Sequence, residues 1–271
     1  MASSSKFNHI IRSISLPGKS HPTGQRVEEA LNNLKTLKIS NESTAETMHD
    51  GLLGLEELYK CVNDLLNLPQ ALQFFSQHQH EKWVKDLLDK SERLLDVCAA
   101  IRELVLQCKE NVRELHHSLR RSQGDSTTET SIIKFTSSGK KIKKEAKKLV
   151  LALNKMDHET TEGSVFLDAH QDTVDMIKTL REANATRISI FQMFLSLFSD
   201  PLLKPKQSKR SLVSRFVSKR RISCEGEEEK MDLETRLESF ESHLDDFENG
   251  LEGLFRCMIR SRSSLLNIFS C

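Results

Sequence analysis

VKDLLDKSERLLDVCAAIRELVLQCKENVRELHHSL, residues 84–119, is the stretch that decides the fold. Apolar side chains stand at Val84, Leu87, Leu94, Cys98, Ile101, Val105, Cys108, Val112, Leu115 and Leu119, alternately three and four residues apart. Ser91 is the only polar member of the series. An α-helix turns such a series into one continuous stripe, because 3.5 residues is close to a full turn. At about 1.5 Å per residue the helix is roughly 54 Å long. Leu88, Leu95 and Leu104 widen the stripe beyond a bare two-stranded seam, which favours a multi-helix bundle.

The same rhythm returns toward the C-terminus. Leu233, Leu237, Phe240, Leu244, Phe247, Leu251, Leu254, Met258, Leu265 and Ile268 form a second series, broken only at Ser261. Between the two lie Ile142, Ala146, Leu149, Leu153 and Met156, flanked by Lys140, Lys141, Lys143, Lys144, Lys147 and Lys148, and then a helix expected from about Ser164 to Ser199. Within it, ISIFQMFLSLF (188–198) is too short for the roughly 18–20 residues of a membrane span and reads as a buried core helix. Upstream, Val27, Leu31, Leu34 and Leu37 share a face of a helix expected over 25–38. A loop is expected over 39–49, and Asp50 is the expected N-cap of a helix reaching Leu68. Pro69 can stop that helix and open the next.

Composition agrees. Of 271 residues, 29% are charged and 6% aromatic, with 10 Gly and 5 Pro, too few turn formers for a Rossmann, P-loop or barrel enzyme. The expected fold is all-α: an elongated multi-helix bundle with long heptad-patterned helices and a disordered N-terminal tail. Its expected divisions are a Ser-rich basic tail over 1–23, a bundle over 24–201, a basic linker over 202–224 and a C-terminal helix over 225–271 packing back on the bundle.

Charge cancels in total, at 40 Lys and Arg against 39 Asp and Glu, yet it is segregated along the chain. Residues 202–224 hold eight Lys and Arg and no acid, whereas 225–248 hold eleven acids and two bases. Such faces are solvated, or meet inside the bundle, or dock on an acidic partner or anionic lipid. The lysines from Lys140 to Lys148 are the candidate basic interaction face.

Signatures of chemistry fail one by one. Ser138-Gly139-Lys140 resembles the end of a P-loop, but Lys134 stands where the first Gly is needed and Lys141 where Ser or Thr is. GxSxG, HExxH and Asp-rich metal loops are absent from the sequence. His78, His80 and Glu81 lack further ligands nearby, and the neighbours His116 and His117 point about 100° apart and are expected to face solvent. Cys98 and Cys108 fall on the apolar seam as small hydrophobes. No CxxC pair occurs among the six cysteines, which fits a reducing, intracellular setting. The expectation is therefore no enzyme, no catalytic residue, no cofactor, no metal and no small-molecule substrate.

Lys209-Arg210 and Lys219-Arg220-Arg221 resemble a split nuclear-import signal, but only Phe216 could stack on a base, so no nucleic-acid function is expected. Lys6, Arg12, Lys19 and Arg26, with many serines and no acid before Glu28, overlap in composition with transit peptides; the stretch is read as a retained regulatory tail. Arg12-Ser13-Ile14-Ser15-Leu16-Pro17 fits the phosphopeptide pattern bound by 14-3-3 proteins, with Ser15 as the modified residue. Arg220-Arg221-Ile222-Ser223 fits basophilic kinases, with Ser223 modified.

Four blocks in order carry a family resemblance: RSISLPGKSHP (12–22), LEELYKCVNDLLNLPQ (55–70), LLDKSERLLDVCAAIRELVLQCKENVRELHHSLRR (87–121) and LEGLFRCMIRSRSSLLNI (251–268). Together they resemble the plant-specific BYPASS-related family, plant domain-of-unknown-function family 241, over nearly the whole chain. Ile14 and Gly18 depart from the polar residues usual there. The resemblance implies an all-helical protein without established enzymatic activity, linked to root and shoot development, and supplies no catalytic residues. The residues themselves lead to the expectation of helix-mediated protein contacts in an intracellular, cytoplasmic setting, with nuclear or peripheral membrane association as further options.

Overall fold

The computed structural model describes residues 22–39, 44–121, 125–161, 171–198 and 225–270. Among them the secondary structure is all α: α1 (Pro22–Ile39), α2 (Ala45–Leu66), α3 (Pro69–Gln77), α4 (Lys82–Arg121), α5 (Asp125–Thr161), α6 (Gln171–Leu197) and α7 (Glu225–Ser270). The 40 residues of α4 and the 46 of α7 make rods of about 60 and 70 Å.

Helix α2 begins earlier than its sequence pattern implies. Thr44, at φ −86° and ψ 161°, holds the extended backbone of an N-cap, and its Oγ1 accepts from the Thr47 amide at 3.1 Å. Asp50 lies more than a turn inside the helix, because the apolar stripe already starts at the fully buried Met48. Pro69 does open the next helix, at a first-turn position where its missing N–H costs no hydrogen bond. Phe74 stacks on Trp83 and Phe75 packs tilted against it across the α3–α4 turn, and Phe269 of α7 meets Phe75 edge-on at 5.8 Å, closing that end of the bundle.

Five helices form a ring around the core in the order α2, α7, α4, α5, α6, with α1 lying over the α2–α6 seam and α3 against α7. Directions follow from the residues that meet. Arg102 pairs with Glu252 and Arg262 with Glu92, so α4 and α7 run antiparallel. Gly250 approaches Leu52, Ser261 reaches the Tyr59 carbonyl and Ser264 the Asn63 side chain, so α2 runs parallel to α7. Lys134 meets Glu114 and Gln192 meets Asn154, which sets α5 between α4 and α6, and Gly51 beside Ile190 with Tyr59 under Arg187 makes α6 antiparallel to α2.

The heptad series face inward as their spacing requires. Leu94, Ile101, Val105, Val112 and Leu115 of α4 and Leu233, Leu237, Leu244, Leu251 and Leu254 of α7 are fully buried, each such side chain stabilising the fold by about 1.5–3 kcal/mol relative to exposure. Cys98 and Cys108 are buried on the same seam. So is most of 188–198, with Ile188, Ile190, Phe191, Phe194, Leu195 and Phe198 in the core. Among the described residues no helix is long and apolar enough to cross a membrane.

The two breaks in the heptads are satisfied locally. Ser91 Oγ donates to the Leu88 carbonyl, and Arg262 Nη1 donates to that carbonyl and to Ser91 Oγ, both at 2.8 Å. Ser261, 4% exposed, reaches the Tyr59 carbonyl at 3.5 Å. Each polar residue in the stripe thus meets a backbone acceptor, as burial demands.

Candidate functional site

Most ion pairs among the described residues link one helix to another. The acidic half of α7 lies along a basic row of α4: Arg102 with Glu252, Lys109 with Asp245 and Glu248, Arg113 with Glu241 at 2.5 Å, and Arg120 with Glu238. Lys109 is the deepest of these cations, and hydrogen bonds first to Asp245 and then to Glu248 hold its ammonium above the ordinary lysine range. The acidic and basic faces therefore do meet inside the bundle, but the acids choose α4 and not the lysine-rich α5.

His116 corrects the sequence reading. It is 8% exposed rather than solvent-facing, wedged between Glu238 and Glu241, whose oxygens each lie 3.6 Å from one of its ring nitrogens. Only His117 is exposed. The cause is the breadth of the α4 stripe: residues 112, 115, 116 and 119 all turn toward α7 and α5.

The lysines of α5 stay outside. Ile142, Ala146, Leu153 and Met156 bury the inner face, leaving Lys140, Lys141, Lys144, Lys147 and Lys148 exposed and Lys143 half-buried. Lys148 pairs with Glu145 on its own helix at 2.8 Å. The other five have no ion-pair partner among the described residues. Residues 133, 137, 140, 144, 147 and 151 are spaced alternately four and three apart and all are exposed, which makes a second stripe opposite the buried one. It has Ile133, 58% exposed, at one end, lysines in the middle and Leu151, 68% exposed, at the other, about 27 Å in all.

A second polar constellation escapes the sequence reading because it is buried. Arg187 of α6 is 2% exposed, its Cζ 4.8 Å above the Tyr59 ring centroid. Its Nη2 donates to Asn184 Oδ1 at 2.8 Å, and the Tyr59 hydroxyl donates to the same oxygen at 3.4 Å. Burial pulls the guanidinium below its ordinary range, and no carboxylate among the described residues pairs with it. A signal exists: Leu180, Ala183, Arg187, Phe191 and Phe194 share one three-four stripe, and only the habit of placing arginine outside hides it.

Ser15 and Ser223 lie outside the described residues, as do residues 1–21 and 202–224. Among the described residues no group of three or more His, Cys, Asp or Glu side chains converges to hold a metal ion.

The α4–α7 charge row, the buried Arg187 cluster and the α5 stripe all fall within one stretch of known sequence pattern. A family model described as Protein BPS1 matches residues 51–268, most of the chain. No curated protein and no solved structure matches it. With the long α4–α7 pair and the lysine-faced α5 both inside the matched span, the chain belongs to the BPS1, BYPASS-related family.

Proposed function

We propose that this protein is a non-enzymatic scaffold that works by helix-mediated contact, and that the outer stripe of α5 is its docking face for an acidic helix of a partner protein. The observation that carries this reading is the contrast between two basic rows. On α4 the cations meet acids of α7 in register; on α5 the lysines face outward with apolar residues at both ends of the row. An acidic amphipathic helix laid along α5 would repeat the α4–α7 arrangement, with Ile133 and Leu151 as its apolar contacts. The role proposed for the protein lies in plant root and shoot development, a reading that family membership supports only in outline. Phosphorylation of Ser15 and Ser223, the former read by 14-3-3 proteins, would regulate it.

The second reading is peripheral attachment to an anionic membrane, favoured by the same pairing of lysines with exposed Ile133 and Leu151.

The test compares the wild type with Lys140→Glu/Lys144→Glu/Lys147→Glu. A fluorescently labelled, glutamate-rich amphipathic peptide is titrated by anisotropy, and vesicles with and without phosphatidylserine are sedimented with the protein. Peptide binding that the triple variant abolishes supports the scaffold. Binding to phosphatidylserine vesicles alone supports the membrane reading. Binding to neither overturns both.

A further inference from the structure

The Arg187 cluster reaches a cavity through Asn184. Between the first turns of α4 and the middle of α6 lies a space of about 330 Å³, within the size range of small-molecule sites. Trp83, Leu87, Ile177 and Leu180 supply apolar wall, and among the described residues the ionisable lining holds four cations, of which Lys82 stands exposed at the rim, against the two carboxylates Asp86 and Asp89. Asn184 belongs to this lining and is itself 7% exposed.

The orientation of Asn184 is set from behind. Its Oδ1 accepts from both Arg187 and Tyr59 on the core side, which leaves Nδ2, with no hydrogen bond among the described residues, for the cavity. A guanidinium bound to the amide oxygen polarises the amide and strengthens its N–H donors, because hydrogen bonds in series reinforce one another in low dielectric. Arg187 thus lends positive character to the cavity without entering it, and with no carboxylate paired to it among the described residues the cluster carries net positive charge. An apolar wall, more cations than carboxylates among the described lining residues and the amide donor of a side chain 7% exposed describe a receptor for an amphipathic anion.

We infer that the α4–α6 cavity binds a small organic monoanion, its carboxylate-like head on Asn184 Nδ2 and Lys82 at the rim, its apolar body against Trp83, Leu87 and Leu180. The site is separate from the α5 stripe, and its test is independent of the docking reading.

The chain has a single tryptophan, Trp83, so the cavity contains its own reporter. The probes are octanoate and its neutral counterpart octanamide, titrated into the full chain by calorimetry and by Trp83 emission. Octanoate binds and shifts that emission; octanamide binds about tenfold more weakly or less, the discrimination expected when a charge-assisted contact is lost. Asn184→Asp supplies Arg187 with a carboxylate and turns the cavity donor into an acceptor. It weakens octanoate by about tenfold or more while the melting temperature holds or rises. Lys82→Glu, at an exposed rim residue, weakens octanoate about threefold or more with the fold intact; it decides the matter if Asn184→Asp unfolds the chain. No octanoate binding, equal binding of the two probes, or variants that bind octanoate as the wild type does would each overturn the proposal.

Discussion

The guanidinium of Arg187 rests on the ring of Tyr59 with its Cζ 4.8 Å from the centroid, and no carboxylate among the described residues neutralises it. A buried cation held only by an aromatic face and an amide oxygen is a cost to the fold, since desolvation of charge exceeds what a cation–π contact and one neutral hydrogen bond return. Arg187→Met keeps the volume and removes the charge; it is expected to raise stability by about 1–2 kcal/mol. Tyr59→Leu removes the ring and leaves the cation, and is expected to cost about 2–3 kcal/mol. Urea denaturation of the two variants checks the contrast. A loss on Arg187→Met as large as that on Tyr59→Leu would show that the charge stabilises the core.

The sequence makes some of this architecture legible and hides the rest for a physical reason. The stripes of α4 and α7 are readable because Leu, Ile and Val have one preferred place, and a three-four series leaves one helix face to satisfy them. The lysine face of α5 is readable for the opposite reason: Ile142, Ala146 and Met156 take the inner side, so the lysines between them must point out. Arg187 and His116 are different. Either residue can be solvated or buried at the same helical position, and the choice depends on what the neighbouring helix offers: Tyr59 from α2 in one case, Glu238 and Glu241 from α7 in the other. Those partners are more than a hundred residues away in sequence. The start of α2 is ambiguous on similar grounds, since both Thr44 and Asp50 are good caps and only the burial of Met48 selects between them.

Alkaline stability follows from the seam cysteines. Burial pushes the Cys98 and Cys108 thiols up from 9.0 to about 12. Below about pH 9 both states keep the thiol proton and the full stability is present. Above it the unfolded chain releases protons that the folded chain retains, so stability falls as pH rises toward 12. Stability measured from pH 8 to 11 is expected to decline, and to decline less steeply in Cys98→Ala/Cys108→Ala. In the folded wild type at pH 8 neither thiol is expected to react with iodoacetamide over hours, as peptide mass spectrometry would register. Rapid modification of either residue in folded protein would contradict the packing described.

The α4–α7 charge row is uneven in worth. The Lys109 side chain is 14% exposed and lies between two carboxylates, whereas Arg120 and Glu238 are both more than half exposed. Lys109→Met is therefore expected to cost about 1–2 kcal/mol, and Arg120→Met less than about 0.5 kcal/mol. Because Lys109 is held above the ordinary lysine range, its contribution is complete at neutral pH and is lost only as pH rises through that raised value. Denaturation at pH 7 in low and high salt separates the two sites: the Arg120 effect vanishes with screening and most of the Lys109 effect persists. Equal losses would mean that burial does not grade the row.

Two helical glycines make opposite predictions at helix crossings. A Cβ on Gly54 would lie 2.7 Å from Leu34 Cδ2, and Leu34 is 2% exposed where α1 crosses α2. With no solvent space to move into, Leu34 must shift the crossing, an overpacking cost of about 1–3 kcal/mol against about 1 kcal/mol gained in helix propensity. Gly54→Ala is expected to be neutral at best and to lower the melting temperature in the ordinary case. A Cβ on Gly253 would come as near to Glu56, but what it meets is the carboxylate end of a side chain that also pairs with Lys60 at the surface. That end can swing toward solvent, so the propensity gain dominates and Gly253→Ala is expected to stabilise by up to about 1 kcal/mol. Thermal melts of the two variants read the difference in sign. Destabilisation by Gly253→Ala as large as by Gly54→Ala would mean that α2 and α7 lie too close for Glu56 to give way.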